Sequence, residues 1–403
     1  MKHNEVILDL GEMYVSEFVG SIQNTNVGLK FPLKLVWDDT MQCPVLTEQP
    51  PSNMMWGKYW YRSGINPTMV KDLTNVVKSI DDLQGVPTER GKIWVDIASN
   101  DGTLLKEVNI NYMKIGIDPC NGEIADMCKE EANMVVQDYF SEQAYNSLEL
   151  WDKASVITCC AMFYDLKYPM VFLEDVCKVL ADDGIFVMQY TYTPTMLAKG
   201  DFMNICHEHY AYHYFDNVNA MMLENGLHAF KVEFNDVNGG SIRIYADKGN
   251  RPMHPSVYET ITAERKVNKK ESWSMFKQVM DLNRFKFVDF VKLLNQTGKS
   301  VWGYGASTKG NTLLQWYGLD GDDIFRIADA NKTKEGRYTK GSGIKVTSEK
   351  EWRRANPDYT IIFPFHFKDF FLEKEKAYLD NGGVFILPCP SPCLISKNGV
   401  EYI

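Results

Sequence analysis

The segment NICHEHYAYH, residues 204–213, places three groups that can exchange protons side by side: His207, Glu208 and His209. Histidine titrates near neutral pH and suits the role of a general base. The segment follows the predicted strand GIFVMQY, and ligands bind beyond the carboxyl ends of strands in α/β sheets. In an extended segment the two histidines would share one face, with Glu208 on the other. Half of a metal site, or loop histidines satisfied by hydrogen bonds, remain alternatives at this point.

A second group of polar residues follows three successive predicted strands, IWVDI, KIGIDP and MVVQD. The group consists of Asp96, Ala98, Asn100, Asp101, Gly102, Asp118 and Asp138. Asp101 suits the ammonium or a ribose hydroxyl of a nucleoside cofactor, Asp118 the ribose diol, and Asp138 the adenine amine. The glycine-poor loop disfavours a dinucleotide, whose pyrophosphate needs close approach of the backbone. Each acid alone is more typical of a helix cap, but together they predict S-adenosylmethionine on a class I methyltransferase sheet.

A third candidate site is the strand, glycine turn and helix start written GYGASTKGNTLL. Gly305, Lys309 and Asn311 in this stretch could hold a phosphate of a substrate. The spacing G-x-G-x-x-x-x-G does not match the dinucleotide fingerprint, and a tight turn for helix packing explains the glycines equally well. Arg337, in KEGRYTKGSG, could pair with a second phosphate or with a sugar. Asn238, in NDVNGGSIR, lies in a predicted hairpin turn.

From Lys92 onward, short apolar runs alternate with longer amphipathic stretches, as in βαβ units on a parallel sheet. Five such runs and the hairpin HAFKVEF and SIRIYAD predict seven strands, the last two antiparallel. Residues 255–298 are predicted to form a helical pair, and a second α/β pattern begins at Ser300. The first seventy-odd residues hold proline-rich turns and an aromatic cluster but no sustained period, which predicts a small irregular module. The predicted domains are 1–74, 75–250 and 251–403.

The composition narrows the class of protein. The chain has 403 residues, 45% hydrophobic and 24% charged, which is ordinary for a soluble enzyme of two or three domains. A net charge of −10 without a basic patch predicts no nucleic-acid partner. We find neither a signal-peptide core nor a long apolar run, so a cytoplasmic protein without membrane association is expected. The nine cysteines lie mostly in apolar runs without a C-x-x-C pair, and neither disulfides nor a metal is expected.

Nine stretches along nearly the whole chain carry a family resemblance: ILDLG, KYWYRSG, DIASNDGTLL, MFYDL, NICHEHYAYH, NDVNGGSIR, GYGASTKGNTLL, NKTKEGRY and PDYTIIFPFHFKD. They resemble the sugar C-methyltransferases of deoxysugar biosynthesis, which use S-adenosylmethionine to methylate a carbon of a nucleotide-linked keto sugar. The resemblance implies three parts: a small N-terminal module, a class I methyltransferase Rossmann-like sheet, and a C-terminal Rossmann-like α/β domain that helps to hold the nucleotide sugar.

The resemblance also implies roles for individual residues. His209 would remove the proton alpha to the carbonyl, and His207 and Glu208 would support it through hydrogen bonds. Tyr61 or Tyr59 would stabilise the enolate oxygen or assist proton transfer. The family also places the turn that contains Asn238 near the substrate.

Three positions depart from the family pattern. The family's N-terminal module binds zinc through paired cysteines, whereas only Cys43 remains here, so zinc is expected to be lost. Ala98 stands where relatives carry glycine, a change that should narrow the cofactor pocket without closing it. Cys206 stands where relatives often carry tyrosine, and packing beside the substrate is expected of it rather than nucleophilic chemistry.

Two other functions fit part of the sequence. The C-terminal domain could be a nicotinamide-dependent oxidoreductase, because Asp329 follows the GYGAS turn at about the distance of a ribose-binding acid, roughly twenty residues. A non-catalytic protein that binds sugar nucleotides would fit the missing zinc ligands and Ala98. The family resemblance favours the methyltransferase.

Overall fold

A computed structural model of the protein describes residues 5–56 and 61–403. The chain forms an N-terminal module, a central α/β domain and a C-terminal α/β domain. Tyr59, one of the two tyrosines expected beside the substrate, lies outside the described residues. Within the described ranges no helix is both long and apolar enough to cross a bilayer.

The N-terminal module is built on a three-stranded antiparallel sheet, in the order β1-β3-β4. Its elements are β1 (Val6–Tyr14), β2 (Phe18–Val19), β3 (Lys30–Asp38), β4 (Cys43–Leu46) and α1 (Ser52–Met55). Alternate residues of β3 are buried, namely Phe31, Leu33, Leu35 and Trp37. The expected irregular module is therefore corrected to a small sheet, whose alternation is obscured by Pro32, a residue unusual within strands.

The central domain contains a seven-stranded sheet in the order β10-β11-β9-β8-β5-β6-β7. Its elements are α2 (Pro67–Gln84), β5 (Ile93–Ile97), α3 (Thr103–Glu107), β6 (Met113–Ile117), α4 (Glu123–Glu131), β7 (Met134–Val136), α5 (Glu142–Asn146), β8 (Ala154–Cys160), α6 (Pro169–Val179), β9 (Leu180–Thr191), α7 (Thr193–Lys199), α8 (Phe215–Glu224), β10 (His228–Asn235) and β11 (Ser241–Asp247). Neighbouring strands from β9 to β7 are parallel, and β11 runs antiparallel to both β9 and β10. The predicted strands and closing hairpin are confirmed.

Helix α2 crosses the predicted domain boundary at residue 74. Its buried residues Leu73, Val76 and Ile80 share a hydrophobic cluster with Trp94 of β5. Asn66 accepts a hydrogen bond from the Thr68 N–H and starts the helix, and Pro67 occupies its first turn. The helix is therefore one unit that packs on the central sheet, and the structural boundary lies before it.

The C-terminal domain follows a pair of helices, as expected. The elements are α9 (Pro255–Arg265), α10 (Lys269–Gln296), β12 (Val301–Tyr304), α11 (Thr308–Tyr317), β13 (Ile327–Asp329), β14 (Tyr338–Thr339), β15 (Val346–Ser348), α12 (Glu349–Ala355), β16 (Tyr359–Ile362), α13 (Lys368–Lys374), α14 (Lys376–Asp380), β17 (Val384–Leu387), β18 (Cys393–Ser396) and β19 (Gly399–Tyr402). The sheet order is β15-β13-β12-β16-β17-β18-β19, parallel as far as β17. This confirms a second Rossmann-like domain.

The N-terminal module joins the other two domains. β2 pairs antiparallel with β14 of the C-terminal domain. One hydrophobic cluster includes Leu35 of β3, Trp273 of α10, Leu313 of α11, and Phe202 in the turn before residues 204–213. The segment with the candidate base is thus anchored where the three parts of the chain meet.

Candidate active site

The loop after β5 turns sharply through three residues with left-handed backbone. Ala98, Asn100 and Gly102 have φ angles of +58°, +50° and +78°. A Cβ atom on Gly102 would lie 3.0 Å from the Cα atom of Cys128, so this position admits only glycine. Asparagine tolerates the left-handed region, whereas alanine is strained there. The backbone geometry at Ala98 therefore suits glycine, the residue that the family resemblance led us to expect there.

Asp96 and Asp118 lie at adjacent strand ends beneath this loop. Asp96 is buried and accepts a hydrogen bond from Thr158 Oγ1 at 2.7 Å. Burial raises the pKa of the Asp96 carboxyl to about 7, and the charge of Asp118 adds to the increase. Asp118 accepts the Asn100 N–H at 2.8 Å and the Cys120 N–H at 2.7 Å, so its side chain holds the loop in place.

Residues 61–64 lie over the cofactor loop and are hydrogen-bonded to it. The Ser63 N–H donates to Asn100 Oδ1 at 3.1 Å, and the Gly64 N–H donates to Asp101 Oδ2 at 2.9 Å. Asn100 Nδ2 donates to the Tyr61 carbonyl at 3.1 Å. Only the motif KYWYRSG signalled this part of the site, and Ser63 and Gly64 were not among the predicted site residues.

Asp138 stands at a different kind of position from the other acids. It follows β7, as predicted, and is exposed, with Oδ1 accepting the Tyr139 N–H at 2.7 Å. The structure therefore places Asp138 at the expected sheet edge, and its contact with an adenine amine stays a prediction.

The acidic side chains around this loop suit a cofactor that carries positive charge. Three carboxylates, Asp96, Asp101 and Asp118, gather at the ends of β5 and β6. Residues 96–102, DIASNDG, include neither lysine nor arginine. A pyrophosphate would face these carboxylates unfavourably, whereas the sulfonium and ammonium of S-adenosylmethionine carry the opposite charge.

Residues 206–208 form bends rather than an extended segment. His207 points toward the N-terminal module and donates from Nε2 to the Phe31 carbonyl at 3.1 Å. The ring of His209 instead packs against the ring of Tyr164, with 3.9 Å between ring centroids and a tilt of 37°. The expectation that both histidines share one face is wrong, because the bends break the alternation and Phe31 holds His207 elsewhere.

His209 has a defined tautomer. One ring N–H donates to the Asn204 carbonyl, which leaves the other ring nitrogen as an acceptor. Burial, together with the charge of Lys309, lowers the pKa of His209 well below its usual range. The imidazole is therefore neutral at pH 7 and can accept a proton.

Glu208 and Asp165 form an acidic pair beside His209. Glu208 accepts hydrogen bonds from its own N–H and from the Cys206 thiol, and burial raises its pKa. Burial and the charge of Glu208 raise the pKa of Asp165 well above its usual range. Asp165 Oδ1 is buried with no hydrogen-bond partner within the described residues. Cys206 is buried and its pKa is raised well above the usual range, mainly by burial, so its thiol stays protonated.

Lys309 reaches this group from the C-terminal domain. Its Nζ donates to Asn204 Oδ1 at 2.6 Å, and its positive charge acts on His209, Glu208 and Asp165. Sequence reasoning assigned Lys309 to a phosphate and left Asp165, Tyr164 and Asn204 unassigned. Their only signal was the position of MFYDL and NICHEHYAYH directly after predicted strands.

The other predicted substrate residues lie in different surroundings. Asn238, with φ +53°, accepts Asn204 Nδ2 at its carbonyl. Gly305, with φ +81°, turns against Pro364. Asn311 is buried and donates to the Glu17 carbonyl at 3.3 Å, and Arg337 donates to the Phe18 carbonyl at 3.4 Å. The last two therefore also hold the N-terminal segment.

Cys43, the remaining cysteine of the expected zinc motif, is buried with Sγ 3.9 Å from Nδ1 of His213. Across residues 5–56 and 61–403, no three His, Cys, Asp or Glu side chains gather in an arrangement that could hold a metal ion.

Fold and site together define a class. The strand order with one antiparallel strand, and the acids at the ends of β5 and β6, are those of an S-adenosylmethionine-dependent methyltransferase. Residues 74–232 match the family model of the methyltransferase domain, and residues 236–390 match that of the C-methyltransferase C-terminal domain.

A relative points in the same direction. The chain is 25% identical over 375 residues to the C-methyltransferase NovU of Streptomyces niveus. The aligned residues make up 91% of this chain and 88% of that protein. This protein is an S-adenosylmethionine-dependent C-methyltransferase.

Two solved structures are similar to part of this chain. The match with an S-adenosylmethionine-dependent methyltransferase of Clostridium acetobutylicum covers 45% of this chain and 92% of that chain, with 10% identity and a TM-score of 0.34. The match with the magnesium protoporphyrin IX methyltransferase of Synechocystis, solved with bound S-adenosylmethionine, covers 44% of this chain and 77% of that chain, with 10% identity and a TM-score of 0.32.

Proposed function

We propose that the protein methylates a carbon next to the keto group of a nucleotide-linked deoxysugar. The observation that carries the proposal is the meeting of a neutral imidazole, His209, with an ammonium, Lys309, at the carboxyl edge of the central sheet. Methylation of carbon needs a base for the alpha proton and a positive charge for the enolate oxygen. The two domains supply one group each.

His209 is the proposed base. Its free ring nitrogen takes the alpha proton, while the Asn204 carbonyl holds the other N–H and stabilises the imidazolium. The ammonium of Lys309 lowers the basicity of His209 but stabilises the negative charge that develops on the substrate oxygen. His207 supports the segment through Phe31.

The acids around the base have supporting roles. Burial and the charge of Glu208 raise the pKa of Asp165 well above its usual range, which favours the protonated carboxyl, and a protonated carboxyl can donate a hydrogen bond to a sugar oxygen. Glu208 balances the charge of Lys309. Tyr61 is proposed to assist proton transfer from the cover of the cofactor loop.

S-adenosylmethionine supplies an electrophilic methyl group. Asp96, Asp101 and Asp118, with Ala98, Asn100 and Gly102 of the loop, are proposed to hold it, and Asp138 to reach the adenine. Residues 251–403 are proposed to hold the nucleotide through Gly305, Lys309, Asn311 and Arg337, with Cys206 and Asn238 packing beside the sugar.

The oxidoreductase alternative gains no support from the C-terminal domain. Asp329, the candidate ribose-binding acid, lies 3.7 Å from Lys334 Nζ, which also donates to the Ala306 carbonyl at 2.8 Å. A Cβ atom on Gly305 would lie 2.5 Å from Pro364. Pro364 thus lies close against the turn where a dinucleotide needs close backbone approach, and Asp329 is already paired with Lys334.

Proton exchange tests the proposed base separately from methyl transfer. We expect the wild-type protein to exchange the alpha proton of its keto sugar for deuterium in D₂O, and His209→Ala to abolish the exchange while leaving S-adenosylmethionine affinity unchanged by calorimetry. Glu208→Gln is the matched comparison and should retain exchange. Full exchange in His209→Ala would move the base to another residue, and loss in Glu208→Gln alone would assign it to Glu208.

A further inference from the structure

Asn204 connects the candidate base to the C-terminal domain. The residue is 1% exposed. Its side-chain Nδ2 donates to Asp201 Oδ2 at 3.1 Å and to the Asn238 carbonyl at 3.2 Å, and its Oδ1 accepts from Lys309 Nζ at 2.6 Å. Its main-chain carbonyl accepts from Tyr212 at 3.3 Å and from the His209 ring. Every polar atom of the amide is used.

These partners determine which way the amide faces. Two acceptors on one side require the NH₂ group there, so Oδ1 faces the ammonium of Lys309. The Asn204 side chain therefore fixes the position of the Lys309 charge, and its carbonyl fixes the tautomer of His209. One residue sets both groups that the proposed reaction requires.

A second contact from the C-terminal domain holds this arrangement. His366, in the motif PFHFKD, donates from Nε2 to the same Asp201 oxygen that Asn204 contacts, and the two side chains are 9% and 2% exposed. A Cβ atom on Gly239 would lie 2.2 Å from Asp201 Oδ2 and 2.6 Å from His366 Nε2. The chain is thus built to admit this pair, which neither the base nor the cofactor loop needs directly.

We propose that Asn204 is a positioning residue that couples seating of the C-terminal domain, through His366 and Asp201, to alignment of His209 with Lys309. The coupling rests on the proposed function, because it acts on the groups that move the alpha proton. When His366 and Lys309 are both seated, the amide has its full set of partners. When Lys309 withdraws, the amide oxygen loses its donor, and when His366 withdraws, the Asp201 carboxylate that accepts from the amide loses the group that holds it.

Asn204→Asp tests the coupling with almost no change in shape. The carboxylate still accepts from Lys309 but cannot donate to Asp201 or Asn238, and it brings a negative charge near His209. We expect kcat to fall at least tenfold with KM for S-adenosylmethionine unchanged. The acidic limb of the pH profile should move upward by about one pH unit, since a negative charge favours the imidazolium. Asn398→Asp, at an exposed turn, is the matched control.

Exchanging the two side chains supplies the second variant. Asp201→Asn combined with Asn204→Asp restores an amide–carboxylate hydrogen bond in the reverse direction, and should recover several-fold activity over either single variant. If Asn204→Asp does not fold, His366→Ala and His366→Gln replace it: the glutamine keeps a donor for Asp201 and should retain more activity than the alanine.

The outcomes separate the two proposals. A wild-type protein that neither exchanges the alpha proton nor transfers a methyl group to any keto sugar overturns the proposed function. An active wild type with kcat and pH limb unchanged in Asn204→Asp overturns the coupling alone, as would equal activity of His366→Ala and His366→Gln in the replacement comparison.

Discussion

The ring of His209 lies over the ring of Tyr164, with 3.9 Å between centroids and an interplanar angle of 37°. Tyr164 belongs to the short 3-10 turn Phe163–Asp165 that follows β8, so the central sheet itself orients the proposed base. Removing the ring in Tyr164→Ala should lower kcat about tenfold to a hundredfold, because a base misplaced by about 1 Å loses alignment with its proton. Steady-state kinetics with saturating S-adenosylmethionine measures this, and Tyr164→Phe, which keeps the ring, should retain more activity. Equal losses in both variants would contradict a role for the contact between the two rings.

The strained backbone at Ala98 predicts a stabilising substitution. With φ at +58°, Ala98→Gly should raise the free energy of unfolding by about 1 kcal/mol and increase the melting temperature. Gly102→Ala is the opposite control, because its new Cβ would lie 3.0 Å from Cys128 Cα in addition to the backbone strain. Differential scanning calorimetry compares the three proteins. A lower melting temperature for Ala98→Gly would show that no strain is relieved there.

Two buried histidines predict loss of stability in acid. Burial lowers the pKa of His207 to about 4 and that of His213 to about 3, from an ordinary value of 6.5. Above pH 6.5 both are neutral in the folded and the unfolded chain. Below it the unfolded chain takes up protons that the folded chain refuses, so each histidine removes about 1.4 kcal/mol per pH unit as the pH falls toward 4.

Melting temperatures measured between about pH 4.5 and 7.5 test this expectation. His207→Gln, which keeps a donor for the Phe31 carbonyl but does not titrate, should flatten the acid side of the curve. An unchanged pH dependence in this variant would mean that His207 is protonated in the folded protein.

Asp96 predicts that cofactor affinity depends on pH. Its pKa of about 7 leaves it largely protonated at pH 6, and a bound cation would favour the carboxylate. S-adenosylmethionine should therefore bind more tightly as the pH rises from about 6 to 8, releasing up to about one proton at the lower pH. Calorimetry in buffers of different ionisation enthalpy counts that proton. Asp96→Asn should bind without the pH dependence, and a wild type with no pH dependence would remove Asp96 from the cofactor site.

The local part of this architecture was predictable and the long-range part was not. Alternating apolar runs marked β5 to β9, and acids at the strand ends pointed to the cofactor loop, because both depend on neighbours in sequence. The approach of Lys309 to Asn204 joins residues 105 apart in sequence, and only packing of the domains produces it. His207 and His209 diverge because Phe31, from a distant strand, holds one of them.

Some residues of the site had no signal of their own. Asp165 and Tyr164 lie in MFYDL, and in sequence alone a turn that contains an acid is typical of a protein surface. Only the fold buries Asp165 and brings Glu208 near it, and both effects raise the pKa of its carboxyl. Ser63 and Gly64 contribute main-chain N–H groups, which every residue except proline carries. Such roles follow from position in the fold rather than from side-chain type.

Mass spectrometry and NMR of products test the central claim most directly. The protein is incubated with S-adenosylmethionine and a panel of nucleotide-linked keto sugars, and each product is analysed for the number and position of added methyl groups. We predict that one sugar gains a single methyl on the carbon adjacent to its carbonyl, with S-adenosylhomocysteine formed in equal amount. A methyl group on oxygen or nitrogen, or no transfer to any sugar in the panel, would contradict the account.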